Sequence, residues 1–106
     1  MARALINVPP RAKRGETIEI KALIQHDMEP GFRVTTNGAL IPQNIITKFV
    51  CTYDGTEIFR ADLAPAIAAN PFFSFNTIAT ASGTITFTWT GDNSFSATES
   101  VKITVE

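Results

Sequence analysis

The stretch Thr84-Ile85-Thr86-Phe87-Thr88-Trp89-Thr90, TITFTWT, decides the fold. Ile85, Phe87 and Trp89 alternate with four threonines, the period of a strand that buries one face and wets the other. A helix would scatter the three large side chains around its circumference, so the segment is a strand with Trp89 as core anchor. Gly91-Asp92-Asn93 then turns the chain. A last strand follows, with Val101, Ile103 and Val105 inward and Lys102 and Thr104 outward.

The same period runs back toward the N-terminus. After Pro71, residues Phe73, Phe75, Thr77 and Ala79 alternate with Phe72, Ser74, Asn76 and Ile78. Leu63 to Pro71 reads as a crossing loop with room for one helical turn. Phe49, Cys51 and Tyr53 share a face, Asp54-Gly55 is a tight hairpin turn, and Glu57 to Asp62 returns alongside. From His26 to Gln43 the residues Pro30, Gly31, Asn37, Gly38 and Pro42 interrupt any ladder and predict a long loop with at most a small hairpin. Glu16 to Gln25 is a strand with Ile18, Ile20, Ala22 and Ile24 inside and Glu19 and Lys21 outside. Before it, Ala4, Ile6 and Val8 alternate up to Pro9-Pro10, and a turn runs through Arg11, Lys13, Arg14 and Gly15.

No segment shows helical spacing between helix caps. About seven short strands in 106 residues predict an all-β, immunoglobulin-like β-sandwich of the E-set type, a single domain over residues 1–106. A chain this short has room for one core and little for a deep substrate cavity. Nine Lys and Arg against ten Asp and Glu leave a net charge of -1, which disfavours nucleic-acid partners. No apolar run approaches the roughly 18 residues of a membrane-spanning helix, and the start MARALINVPP lacks the pattern of a signal peptide, so no membrane partner is expected.

Chemistry-bearing residues are few. Cys51, the only cysteine, sits mid-strand between Phe49 and Tyr53. It reads as a core thiol, the alternative being a reactive thiol or sulfur carrier. His26, Asp27, Met28 and Glu29 put an imidazole and two carboxylates together, but adjacent residues rarely converge on an ion and no second His or Cys cluster exists. A solvated or interface loop is therefore favoured over a metal site. Asp92 and Asn93 read as a turn, and Arg11, Lys13 and Arg14 as a solvated turn rather than a docking patch. No catalytic residue, metal or cofactor is predicted.

One physical signal stands apart: from Leu63 to Gly91, 29 residues pass without a Lys, Arg, Asp or Glu. Strands without charged guards are prone to pair with other chains, so a partner covering part of this region is expected, with Phe72, Thr86 and Thr88 as first candidates. His26, Met28 and Glu29 of the long loop are the second. The plain alternative is that both uncharged strands are central and protected by their neighbours.

Several stretches together resemble one family. They are ALINVPPRAKRGETIEIKALIQH (Ala4 to His26), then Met28, Glu29, Gly31 and Arg33, then Asn37, Gly38, Ile41 and Pro42, then FVCTYDG (Phe49 to Gly55). FRADL (Phe59 to Leu63), AIAANPF (Ala66 to Phe72) and WTGDNSFSATESVKITVE (Trp89 to Glu106) complete the set. In order and coverage the chain resembles the SoxZ family, one half of the SoxYZ sulfur carrier of bacterial thiosulfate oxidation. It departs at Asp27, where the family commonly has Pro, and at Pro30, where it has Thr.

The resemblance implies an immunoglobulin-like, non-catalytic subunit that forms a heterodimer with SoxY. SoxY bears the sulfur-binding cysteine on a C-terminal Gly-Gly-Cys-Gly-Gly arm, whereas this sequence ends Thr104-Val105-Glu106. Through SoxYZ, the resemblance implies contact with the pathway's cytochrome, hydrolase and sulfane dehydrogenase. It also implies a periplasmic location reached by co-export with SoxY. The competing expectation is a chain with its own chemistry, through Cys51 as a thiol or His26 as a ligand.

Overall fold

A computed structural model describes residues 3–64, 67 and 69–106. Eight strands form among these residues: β1 (Ala4–Asn7), β2 (Arg11–Ala12), β3 (Thr17–Ile24), β4 (Ile46–Tyr53), β5 (Thr56–Asp62), β6 (Phe72–Ile78), β7 (Gly83–Gly91) and β8 (Ser96–Val105). They make two sheets, one of three strands ordered β1-β3-β6 and one of five ordered β2-β8-β7-β4-β5. The chain is an all-β, immunoglobulin-like sandwich, as the alternation predicts.

The inward rows are those of the sequence pattern. Ile18, Ile20, Ala22 and Ile24 from one sheet meet Phe49, Cys51, Tyr53, Ile85, Phe87, Trp89 and Ile103 from the other, all buried. Aromatic rings join the layers: Phe49 stacks on Phe73 with centroids 4.7 Å apart, and Phe59 on Phe75 at 4.3 Å. Each contact pairs a strand of the five-stranded sheet with β6 and sets β6 over β4 and β5.

Turn chemistry sets the register. Asp54 and Gly55 both have positive φ, 49° and 83°, the geometry of a two-residue hairpin turn. The Asp54 carboxylate also accepts the Thr84 N–H at 2.8 Å, tying the β4–β5 turn to β7. Gly91 lies where β7 meets Ile45 and Ile46, and a Cβ there would fall 2.3 Å from the Ile45 carbonyl oxygen. Only glycine permits that approach.

One detail differs from the expectation, and the two uncharged strands divide between its alternatives. Arg11–Ala12, expected as part of a turn, is a short strand parallel to Thr104 and Val105, formed where Pro9-Pro10 send the chain from one sheet to the other. Strand β7 is interior to its sheet, between β8 and β4, so its lack of charge needs no guard against other chains. Strand β6, by contrast, pairs among the described residues only with β3 and is an edge. The helical turn expected between Leu63 and Pro71 falls largely on residues 65, 66 and 68, outside the described residues.

Candidate functional site: a projecting finger and a closed core

Between Met28 and Ile45 no residue is buried. The two limbs of this segment are joined by main-chain bonds. Glu29 and Asn44 exchange N–H to carbonyl bonds at 2.9 and 2.8 Å, Ile41 donates to Arg33 at 2.8 Å, and Thr35 donates to Ala39 at 2.8 Å. Gly38, with φ of 82°, closes the tip. The expected loop with a small hairpin is thus a finger held by its backbone rather than by a core. The molecule accordingly extends 60 × 20 × 19 Å, with a radius of gyration of 16.3 Å against the roughly 13 Å of a compact chain this size.

The finger carries apolar side chains into solvent: Phe32 is 77%, Val34 60% and Leu40 62% exposed. Three large apolar residues are thus exposed on one segment with no core beneath them, the kind of surface that interaction sites offer. Glu29 and Arg33 pair on it, and the guanidinium hydrogen bond holds the Glu29 carboxyl below its ordinary range.

The root of the finger is densely bonded. His26 and Asn70 grip each other, His26 N–H donating to Asn70 Oδ1 at 2.9 Å and Asn70 N–H to the His26 carbonyl at 2.8 Å. The His26 ring lies edge-on to Phe95 at 5.0 Å, and its Nδ1 accepts the Met28 N–H at 2.9 Å. An Nδ1 that accepts a main-chain N–H is unprotonated, so the neutral ring is the form the fold holds. Asp92, a turn residue by its sequence, also reaches across to the finger's root: its Oδ2 accepts from Gln43 Nε2 at 2.9 Å and from Ile45 N–H at 3.2 Å. Those bonds hold its carboxyl below the usual range.

The predicted partner-binding residues therefore separate. Phe72 is 55% exposed on the outer side of β6. Thr86 and Thr88 lie half-buried on the outer face of β7, with Thr52 and Ser100 flanking the first and Val50 and Thr98 the second. His26 and Glu29 stand at the base of the finger. Met28 requires correction: it is 3% exposed, its φ is 53°, and its Sδ accepts the Ile46 N–H at 3.2 Å, so it plugs the core and offers no outward surface. Phe32, Val34 and Leu40 were not singled out from sequence, although large apolar residues in a stretch rich in Pro and Gly were the available signal.

Cys51 has no accessible surface, lying between cross-strand partners Phe87 and Phe59. Burial pushes its thiol up to about 12, far from the thiolate that nucleophilic sulfur chemistry needs. Among the described residues no three His, Cys, Asp or Glu side chains gather in a metal-binding group.

The fold is thus an immunoglobulin-like sandwich, here with an enclosed thiol and an apolar projection. The family described as sulphur oxidation protein SoxZ matches residues 6–102. The chain belongs to the SoxZ family. Among solved structures it is similar to the sulfur carrier protein SoxY from Chlorobium limicola f thiosulfatophilum, with a TM-score of 0.69 at 11% identity over 97% of this chain and 78% of that one. It is also similar to superoxide reductase (neelaredoxin) from Ignicoccus hospitalis, with a TM-score of 0.70 at 14% identity over 97% and 80%. A putative superoxide reductase from Thermotoga maritima matches with a TM-score of 0.68 at 21% identity over 97% and 85%. At these identities the likeness is one of fold. No curated protein matches the chain.

Proposed function

We propose that this chain is the non-catalytic subunit of a SoxYZ sulfur carrier. It binds SoxY, whose terminal cysteine holds the sulfur intermediates, and helps present them to the cytochrome, hydrolase and sulfane dehydrogenase of thiosulfate oxidation. The observation that carries the reading is the family match over residues 6–102. The enclosed Cys51 supports it, because a sulfur carrier needs a thiolate that its enzymes can reach. In this reading the complex works in the periplasm, where the chain arrives together with SoxY.

The finger is the best-suited docking element of the reading, since burying Phe32, Val34 and Leu40 against SoxY would stabilise a complex without reorganising the sandwich. Phe72, Thr86 and Thr88 form the second candidate surface. The test is thiosulfate-dependent turnover of the reconstituted pathway with Cys51→Ser in this chain. Turnover unchanged within a factor of about two supports a carrier subunit without its own thiol chemistry, and abolished turnover with an intact fold overturns it.

A further inference from the structure

The two sheets end in four edges, and three of them are guarded against pairing with another chain. Strand β5 carries Glu57, Arg60 and Asp62, and its pairing with β4 is broken by a register shift at Cys51/Thr52. Strand β1 has four residues and ends near Pro9-Pro10, and β2 has two residues directly after those prolines. Charge, irregularity, shortness and proline are the devices by which sheet edges avoid association. Strand β6 has none of them. Its seven residues, Phe-Phe-Ser-Phe-Asn-Thr-Ile, include no charge and no proline, and its register with β3 runs unbroken from Thr17↔Ile78 to Leu23↔Phe72.

The main chain of β6 presents its unused groups in a determined pattern. Ile24 N–H donates to the Pro71 carbonyl, and Ala79 N–H donates to the Glu16 carbonyl. In an antiparallel ladder, residues that bond the neighbour alternate with residues that point away from it. Phe73, Phe75 and Thr77 therefore bond β3, while Phe72, Ser74, Asn76 and Ile78 aim their N–H and C=O groups off the open edge. Among the described residues no main-chain bond from a turn or loop reaches these four. Near Ile78 the edge borders an open groove of about 390 Å³ that Thr56, Ile58 and Thr77 also line.

We propose that β6 is a strand-pairing edge, and that its occupant is β6 of a second copy of this chain, antiparallel about a twofold axis. The argument for a second copy is self-complementarity. In the register of full overlap, centred on Phe75, Phe72 of one copy lies opposite Ile78 of the other, and Ser74 lies opposite Asn76. Each of these pairs is of the kind that exchanges two main-chain bonds, so every free group of the edge is satisfied. The pairing also brings together the two exposed apolar side chains of the strand, Phe72 at 55% and Ile78 at 47%. No like charges meet, because the strand carries none. The product is a six-stranded sheet with the order β1-β3-β6-β6-β3-β1. The inference stands apart from the proposed function, since it needs only this chain.

The test is sedimentation equilibrium of the purified chain across micromolar concentrations. A monomer–dimer equilibrium is expected. Asn76→Pro removes one outward N–H from each copy without touching a β3 bond, a position where an edge strand tolerates proline, and it should weaken the dimer by about tenfold or more. A second pair of variants guards against misfolding. Ser74→Glu would face Lys21 while giving up the Ser74 hydroxyl's bond to Glu19, and Asn76→Lys would face Glu19 on β3, so the melting temperature of each is measured alongside to show that both fold. Mixed together, the two should form a heterodimer tighter than either homodimer, because the new charges then lie opposite each other in the stated register. A monomeric wild-type chain overturns the proposal, as does a dimer indifferent to all three substitutions. A monomer whose binding to SoxY is lost with Asn76→Pro also overturns it, and would assign the edge to SoxY instead.

Discussion

Trp89 on β7 packs against Phe49 on β4, ring centroids 5.1 Å apart and planes tilted by 36°, and the two residues are cross-strand partners in the ladder. Both are fully buried. Among the described residues the Trp89 Nε1–H finds no acceptor. The indole thus contributes volume and apolar contact while carrying the cost of one unpaired donor. Trp89→Ala should lose roughly 3–5 kcal/mol in urea unfolding, and Trp89→Phe, which keeps a ring and removes the orphan donor, at most about 2 kcal/mol. As the only tryptophan, Trp89 should also resist iodide quenching in the native protein. Equal losses for the two variants would contradict this account of the core.

Cys51 should not react with a thiol reagent in the native chain and should react fully on unfolding. With the thiol held up to about 12 in the fold and ionising near its ordinary value of about 9 when unfolded, the unfolded state loses its proton first as pH rises. Stability should therefore decline above about pH 9, and Cys51→Ala should remove that part of the decline. Native-state labelling at neutral pH would show that the strand opens locally or that the thiol is not enclosed.

His26 supplies a pH dependence at the root of the finger. Burial lowers its pKa, while the nearby carboxylates of Asp27 and Asp92 pull the other way. The folded value lies below the unfolded one of about 6.5, so the unfolded chain binds the extra proton first as pH falls. The stabilising effect of the neutral ring is complete above about pH 6.5 and is lost as pH drops from there to the folded value. An NMR titration should place His26 below 6.5, and protonation should weaken the Met28 N–H bond to Nδ1, with faster hydrogen exchange at Met28. A His26 pKa above 6.5 would contradict the geometry.

The alternation of β7 and β3 made the sandwich legible from sequence, because a half-buried strand imposes a period that local residues display on their own. Sheet order did not show in the same way. The strands β6 and β7 alternate alike, yet one is an edge and the other interior, since their neighbours come from distant parts of the chain. Strand β2 was hidden for a related reason: its pairing with Thr104 and Val105 spans nearly the whole sequence. Met28 and Phe32 are both apolar residues in one irregular loop, and no period separates the one that folds inward from the one that projects. Cys51 was legible because the strand pattern placed it between two aromatics on a single face.

The central claim, that this chain is a SoxY-binding subunit, is tested most directly by titration calorimetry of the purified chain against SoxY. The account predicts saturable one-to-one binding that Phe32→Asp or Leu40→Asp weakens by about tenfold or more at unchanged melting temperature, because a charge would replace a buried apolar contact. Loss of binding with Thr86→Lys or Thr88→Lys alone would move the interface from the finger to the outer face of β7. Absence of binding between folded SoxY and the folded wild-type chain would contradict the claim itself.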